Sequence, residues 1–107
     1  MDLLRGATVL VLAALGCSSD EEPPPRVLDA SMYARDCAQP SDCVKITAGD
    51  VCTCLCANAA IGKAAEAQYD ADVQAGIAAH CPGWNYATCG ACPPSTAPDC
   101  KQGSCVP

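Results

Sequence analysis

The chain has no phenylalanine, one tryptophan, three tyrosines and a single histidine, His80, in 107 residues. With one imidazole, and with Asp70 and Asp72 on different faces of any helix drawn through them, no nucleophile–base–acid set can be assembled. A glycine-rich phosphate loop and an Asn-x-Ser/Thr sequon are missing too, so nothing points to an enzyme or to a nucleotide cofactor. Bases are scarce: six Lys and Arg stand against twelve Asp and Glu, for a net charge of −6. That balance excludes nucleic acid as a partner and disfavours direct contact with anionic headgroups. Long apolar runs are also lacking, since the longest, Ala7 to Leu15, is about half of the ~20 residues that span a bilayer. Large apolar side chains are few. Val27 to Pro107 holds fifteen of them, against seventeen alanines and ten cysteines. A hydrophobic fraction of 50% therefore overstates the core, and cross-links must help to hold it.

Residues 1–16 form the pattern of an export signal: a short start with one positive charge, Arg5, an apolar stretch, and the small residue Gly16 at the cut. Ala13-Ala14-Leu15-Gly16-Cys17 resembles the bacterial lipobox, with Ala14 where that motif usually has leucine. The resemblance implies cleavage before Cys17 and attachment of diacylglycerol and a palmitate-type acyl chain there. Several acyl chains anchor durably, because each buried methylene adds about 0.8 kcal/mol. Ser18 stands where an aspartate would signal inner-membrane retention in Gram-negative lipoproteins, which points to the outer membrane, on its periplasmic face or at the cell surface. Residues 17–26 are acidic and proline-rich (CSSDEEPPPR) and read as a semi-rigid spacer.

Eleven cysteines are an odd number for an exported protein. Assigning Cys17 to lipid leaves Cys37, Cys43, Cys52, Cys54, Cys56, Cys81, Cys89, Cys92, Cys100 and Cys105, an even set that five disulfides can consume. Such bridges form outside the cytoplasm. Ten cysteines allow about 945 pairings, so the connectivity is not readable.

Residues 27–107 read as one α+β disulfide-rich domain of antiparallel hairpins packed on one main helix. Val44–Thr47 and Val51–Cys56 alternate around an Ala48-Gly49-Asp50 turn, which predicts a β-hairpin. Its period of two sets Cys52, Cys54 and Cys56 on one face, obliged to find partners elsewhere, mainly among the C-terminal cysteines. An alanine-rich helix over about 58–80 follows, capped by Asn58, with Ile61, Ala65, Tyr69, Val73 and Ile77 as a soft apolar stripe. Cys81 is expected to staple its end. Val27–Arg35 leans to a short helix. Cys100–Cys105 predicts a tight terminal hairpin, with Gly103 supplying positive φ.

The lipobox with its acidic proline tail, Ser41-Asp42-Cys43-Val44, the cysteine-rich run leading into Ala60-Ile61, and the Cys100–Cys105 hairpin together resemble the small cysteine-rich lipoproteins of myxobacteria and related high-GC bacteria. That resemblance brings no characterised activity. Cys89-Gly90-Ala91-Cys92 matches the spacing of thiol-disulfide redox proteins, but Pro93 and Pro94 follow it and no βαβ pattern surrounds it. Cys52, Cys54, Cys56, His80, Cys81, Cys89 and Cys92 together offer the donors of a zinc or copper(I) site, yet export through an oxidising compartment favours disulfides over metal. His80 suits a helix C-terminus. Trp84 and Tyr86, in a Pro-Gly loop, are either an exposed binding hot spot or plugs in a thin core. The expected role is an interaction or structural module. A proteinase inhibitor presenting Gly83–Thr88 is the first alternative, and a redox protein using Cys89 and Cys92 the second.

Overall fold

The computed structural model describes residues 22–107; the expected signal peptide and the expected lipid attachment at Cys17 lie outside them. Strands β1 (Val27–Leu28), β2 (Cys43–Ile46), β3 (Gly49–Asp50) and β4 (Ala59–Gly62) precede helix α1 (Glu66–His80), and β5 (Asp99–Lys101) and β6 (Ser104–Val106) close the chain. The strands pair antiparallel as β1–β3, β2–β4 and β5–β6. The fold is α+β and rich in disulfides.

The long hairpin departs from the sequence expectation. Val44 faces Ile61 and Ile46 faces Ala59, so β2 pairs with residues expected to begin the helix, and Val51–Cys56 is not a strand. Asp50 explains the second change. Its Oδ1 accepts from Cys52 N (2.8 Å) and its carbonyl from Thr53 N (3.2 Å), an Asx-type turn that ends the strand as the cysteines begin. Ala59–Gly62 becomes a strand because its two faces are needed on two sides. Ile61 is fully buried in the main core, and Ala60 lies against Cys43 and Cys105 in a smaller one. Helical propensity of alanine is a weak preference that such packing overrides. Asn58 does not cap the helix. Its side chain instead clamps Ala48, accepting from the amide (2.7 Å) and donating to the carbonyl (3.0 Å).

Helix α1 buries Tyr69, Val73, Gly76 and Ile77, the spacing of one helical face. A Cβ at Gly76 would come within 2.8 Å of Pro25 O and 3.0 Å of Val51 Cγ2, so glycine lets the chain entry and the loop lie directly on the helix. His80 Nε2 donates to Pro24 O at 2.8 Å, which fixes the entry to the helix end. Tyr33 stacks edge-on against Tyr69, ring centroids 5.7 Å apart, and donates to Asp72 Oδ2 at 2.7 Å. Residues 27–35, expected as a short helix, form β1 and then a single 3-10 turn at Ala30–Met32.

Five disulfides join Cys37–Cys100, Cys43–Cys105, Cys52–Cys81, Cys54–Cys89 and Cys56–Cys92. Each links one of the first five of these cysteines to one of the last five. Cys52, Cys54 and Cys56 meet Cys81, Cys89 and Cys92 in the same order, and Cys81 staples the helix end. In the terminal hairpin, Gln102 (φ 54°) and Gly103 (φ 77°) both have positive φ, the two-residue turn whose twist suits a tight hairpin.

Candidate functional site

One concavity runs along an edge of α1. Tyr69 and Val73 form its floor, Asp70 and Gln74 its helical rim, and Leu55 and Tyr86 its opposite wall, around a cavity of about 320 Å3. The floor is fixed by hydrogen bonds, Tyr69 Oη donating to Thr47 O at 2.8 Å and accepting from Thr47 N at 3.2 Å. Burial raises the Tyr69 phenol above its ordinary value, although the Thr47 contact opposes the shift. Burial, then the nearby Asp50 carboxylate, raises Tyr86 as well.

Covalent brackets set both walls. Leu55 lies between Cys54 and Cys56, which are bridged to Cys89 and Cys92. Tyr86 lies between Cys81 and Cys89, bridged to Cys52 and Cys54. A 3-10 turn at Tyr86–Thr88, capped by Asn85 Oδ1 accepting from Ala87 N (2.8 Å), holds the ring further. Leu55 is 37% and Tyr86 39% exposed. Val27 (59%) and Met32 (49%) are more exposed; what sets Leu55 and Tyr86 apart is that disulfides hold the backbone on both sides of each.

The two aromatic candidates separate. Trp84 packs on the main core, while Tyr86 faces the cavity and meets Trp84 edge-on, centroids 4.7 Å apart. Leu55, Tyr69, Asp70, Val73 and Gln74 were not anticipated as a site. The available signal was the Cys54-Leu55-Cys56 triplet, whose alternation turns Leu55 away from its two flanking cysteines. The Gly83–Thr88 segment coils into its 3-10 turn rather than extending as a strand.

Cys89 and Cys92 are each bonded to the 54–56 run rather than to one another. The donors of the zinc or copper(I) arrangement, His80 apart, are all consumed in bridges, and a disulfide sulfur is not the thiolate such ions bind. Cys37, Cys43 and Cys105 bring their sulfurs within 4.8 Å of one another, but these too belong to two bridges packed side by side.

A second cavity of about 300 Å3 lies beside Gly62, rimmed by Asp36, Asp42 and Lys63. Asp42 is committed to its own loop, accepting from Ala38 N (2.8 Å) and Gln39 N (3.2 Å). Those bonds, and then Lys63, hold its carboxyl below the usual range. No helix among the described residues is long and apolar enough to cross a membrane. Comparison with protein-family models, curated proteins and solved structures gives no match for the chain. The five disulfides mark it as a disulfide-rich module of an oxidising, extracytoplasmic environment.

Proposed function

We propose that the chain is a lipid-anchored interaction module, held at the outer membrane through Cys17 and binding a protein partner in the groove between α1 and the Cys54–Cys56 loop. The observation that carries the binding role is the pair of apolar walls, Leu55 and Tyr86, pinned in water by bridges on both sides. Such pinning lowers the entropy lost when a partner orders the surface. The anchor is supported by arithmetic. All ten cysteines of the described residues are bridged, which leaves Cys17 for another chemistry, and the lipobox-like residues before it supply one.

One set of cells tests both halves. A photo-crosslinking residue at position 55 of the full-length chain should yield a discrete adduct, and the same residue at Lys101, on the terminal hairpin outside the groove, should not. The Cys17→Ser chain should lose fatty-acid label and leave the membrane fraction. Equal adducts from both positions would refute the groove as the binding surface, and membrane retention of Cys17→Ser would refute the anchor.

A further inference from the structure

The chemistry of the groove restricts what can fill it. Its floor and far wall are apolar or aromatic, through Tyr69, Val73, Leu55 and Tyr86, and among the described residues its only charged lining group is Asp70. Asp70 is exposed and makes no hydrogen bond or ion pair with another described residue. The other nearby carboxylate, Asp50, already pairs with Arg26, Nε to Oδ2 at 2.9 Å. A partner that closes over the groove removes water from Asp70. A carboxylate desolvated without a counter-charge is costly, so a purely apolar occupant is disfavoured. An anionic occupant would also meet the net charge of −6.

We infer that the groove receives an arginine side chain of a partner protein. Its methylenes would lie on Leu55 and Val73, its guanidinium against the Tyr86 ring, and its N–H groups would donate to the Asp70 carboxylate and the Gln74 side-chain oxygen. Asp70 and Gln74 stand four residues apart on one helix, so they present neighbouring acceptors on the same edge. A cavity of about 320 Å3 is at the small end of ligand sites, suited to one long side chain rather than to an extended cofactor. Guanidinium fits better than ammonium because it is planar, weakly hydrated, able to lie on an aromatic ring and able to fork between acceptors. A bare metal ion is a poor alternative, since one carboxylate and one amide do not make a coordination sphere.

This inference rests on the interaction-module reading, and its test separates the two. Amide spectra of the full-length chain in detergent micelles are titrated with three short peptides that differ at one position: arginine, citrulline or leucine. Citrulline keeps the shape of arginine and removes the charge. The arginine peptide should shift Leu55, Asp70 and Tyr86 saturably, with citrulline binding about two- to fivefold more weakly, the range of one exposed ion pair. Asp70→Asn should weaken arginine binding by a similar factor and, by removing the carboxylate that an apolar occupant would desolvate, should tighten binding of the leucine peptide. Tyr86→Ala should weaken arginine binding about three- to tenfold. Equal binding of arginine and citrulline, or an Asp70→Asn chain that still binds arginine fully, would overturn the inference. If no arginine peptide shifts the groove while position 55 still crosslinks a partner, the arginine proposal fails and the module reading stands. If position 55 crosslinks nothing as well, both fall.

Discussion

The two groups of disulfides sit in contrasting surroundings. Around the terminal hairpin, Cys43, Cys100 and Cys105 lie in paired strands, and Cys37 hydrogen-bonds to the hairpin turn. Cys105 is 1% exposed, its amide donates to Arg35 O at 2.8 Å, and Cys37 N donates to Gly103 O at 3.1 Å. Ala60 fills the space against Cys43 and Cys105. On the groove side, Cys54, Cys56 and Cys92 are exposed, and residues 82–98 contain one 3-10 turn and no strand. In the first region sulfur adds to packing that already exists. In the second, sulfur takes the place of packing. A thin core thereby holds a compact body and also displays a shaped surface that has few buried contacts of its own.

The strongest way to break this contrast is to remove one bridge from each region. Taken as isolated loops of 62 and 35 residues, the two are close in chain entropy, at about 4.3 kcal/mol for Cys43–Cys105 and about 3.8 kcal/mol for Cys54–Cys89. The structure separates them. The chain with both Cys43→Ala and Cys105→Ala should lose about 4 kcal/mol or more, because a buried contact goes with the bond. The chain with both Cys54→Ala and Cys89→Ala should lose less than about 2 kcal/mol, because the released segment gains freedom in the folded state too. Denaturant melts of both chains check this. Timed alkylation under mild reduction should open Cys54–Cys89 and Cys56–Cys92 first and Cys43–Cys105 last. Equal losses and equal reduction rates would erase the distinction.

Gly76 tests the seam between the helix and the chain entry. Gly76→Ala would gain helix propensity, but its Cβ meets a carbonyl oxygen 2.8 Å away. A net loss of roughly 1–2 kcal/mol is expected in thermal melts. A more stable Gly76→Ala chain would mean that residues 24–26 do not rest on α1.

The smallest effect concerns acid. The carboxyl of Asp50 is held below its ordinary value of 3.8, first by the Cys52 amide and then by Arg26. A lowered folded-state value favours the folded chain above 3.8, and that contribution fades as pH falls through the lowered value. Melting temperature should therefore drop from about pH 4 to about pH 2, with a shallower drop in Asp50→Asn. Asp29 and Asp42 shift the same way, so some acid sensitivity persists in that variant.

Local patterns made much of the scaffold readable. Tyr69, Val73 and Ile77 show the helical face at a spacing of four, and Gly103 marks the terminal turn. The three closely spaced cysteines 52, 54 and 56 could not pair among themselves, so partners outside the run were required. What stayed hidden depends on distant contacts. Ala59–Gly62 has the composition of a helix, and only its packing on two sides, Ile61 in the main core and Ala60 against Cys43 and Cys105, makes a strand of it. Alternation in Val51–Cys56 mimics a strand because bridged cysteines recur every second residue, although Asp50 has already turned the chain. The groove was illegible for the same reason, since Leu55, Asp70 and Tyr86 meet only after three bridges close.

The strict pairing of the first five of these cysteines with the last five sets an order of events in time. Of the ten bridged cysteines, a chain emerging from a ribosome or a translocation channel shows Cys37 and Cys43 first. Their partners trail by 63 and 62 residues. Until Cys81 emerges, every thiol available to Cys37, Cys43, Cys52, Cys54 or Cys56 is a wrong one. Any bond made in that interval must be undone by thiol–disulfide exchange. Maturation is therefore paced by oxidation and reshuffling, on the scale of seconds to hours, rather than by the microsecond collapse of so small a core. Withholding oxidant until synthesis is complete, or supplying an isomerase, would shorten that interval.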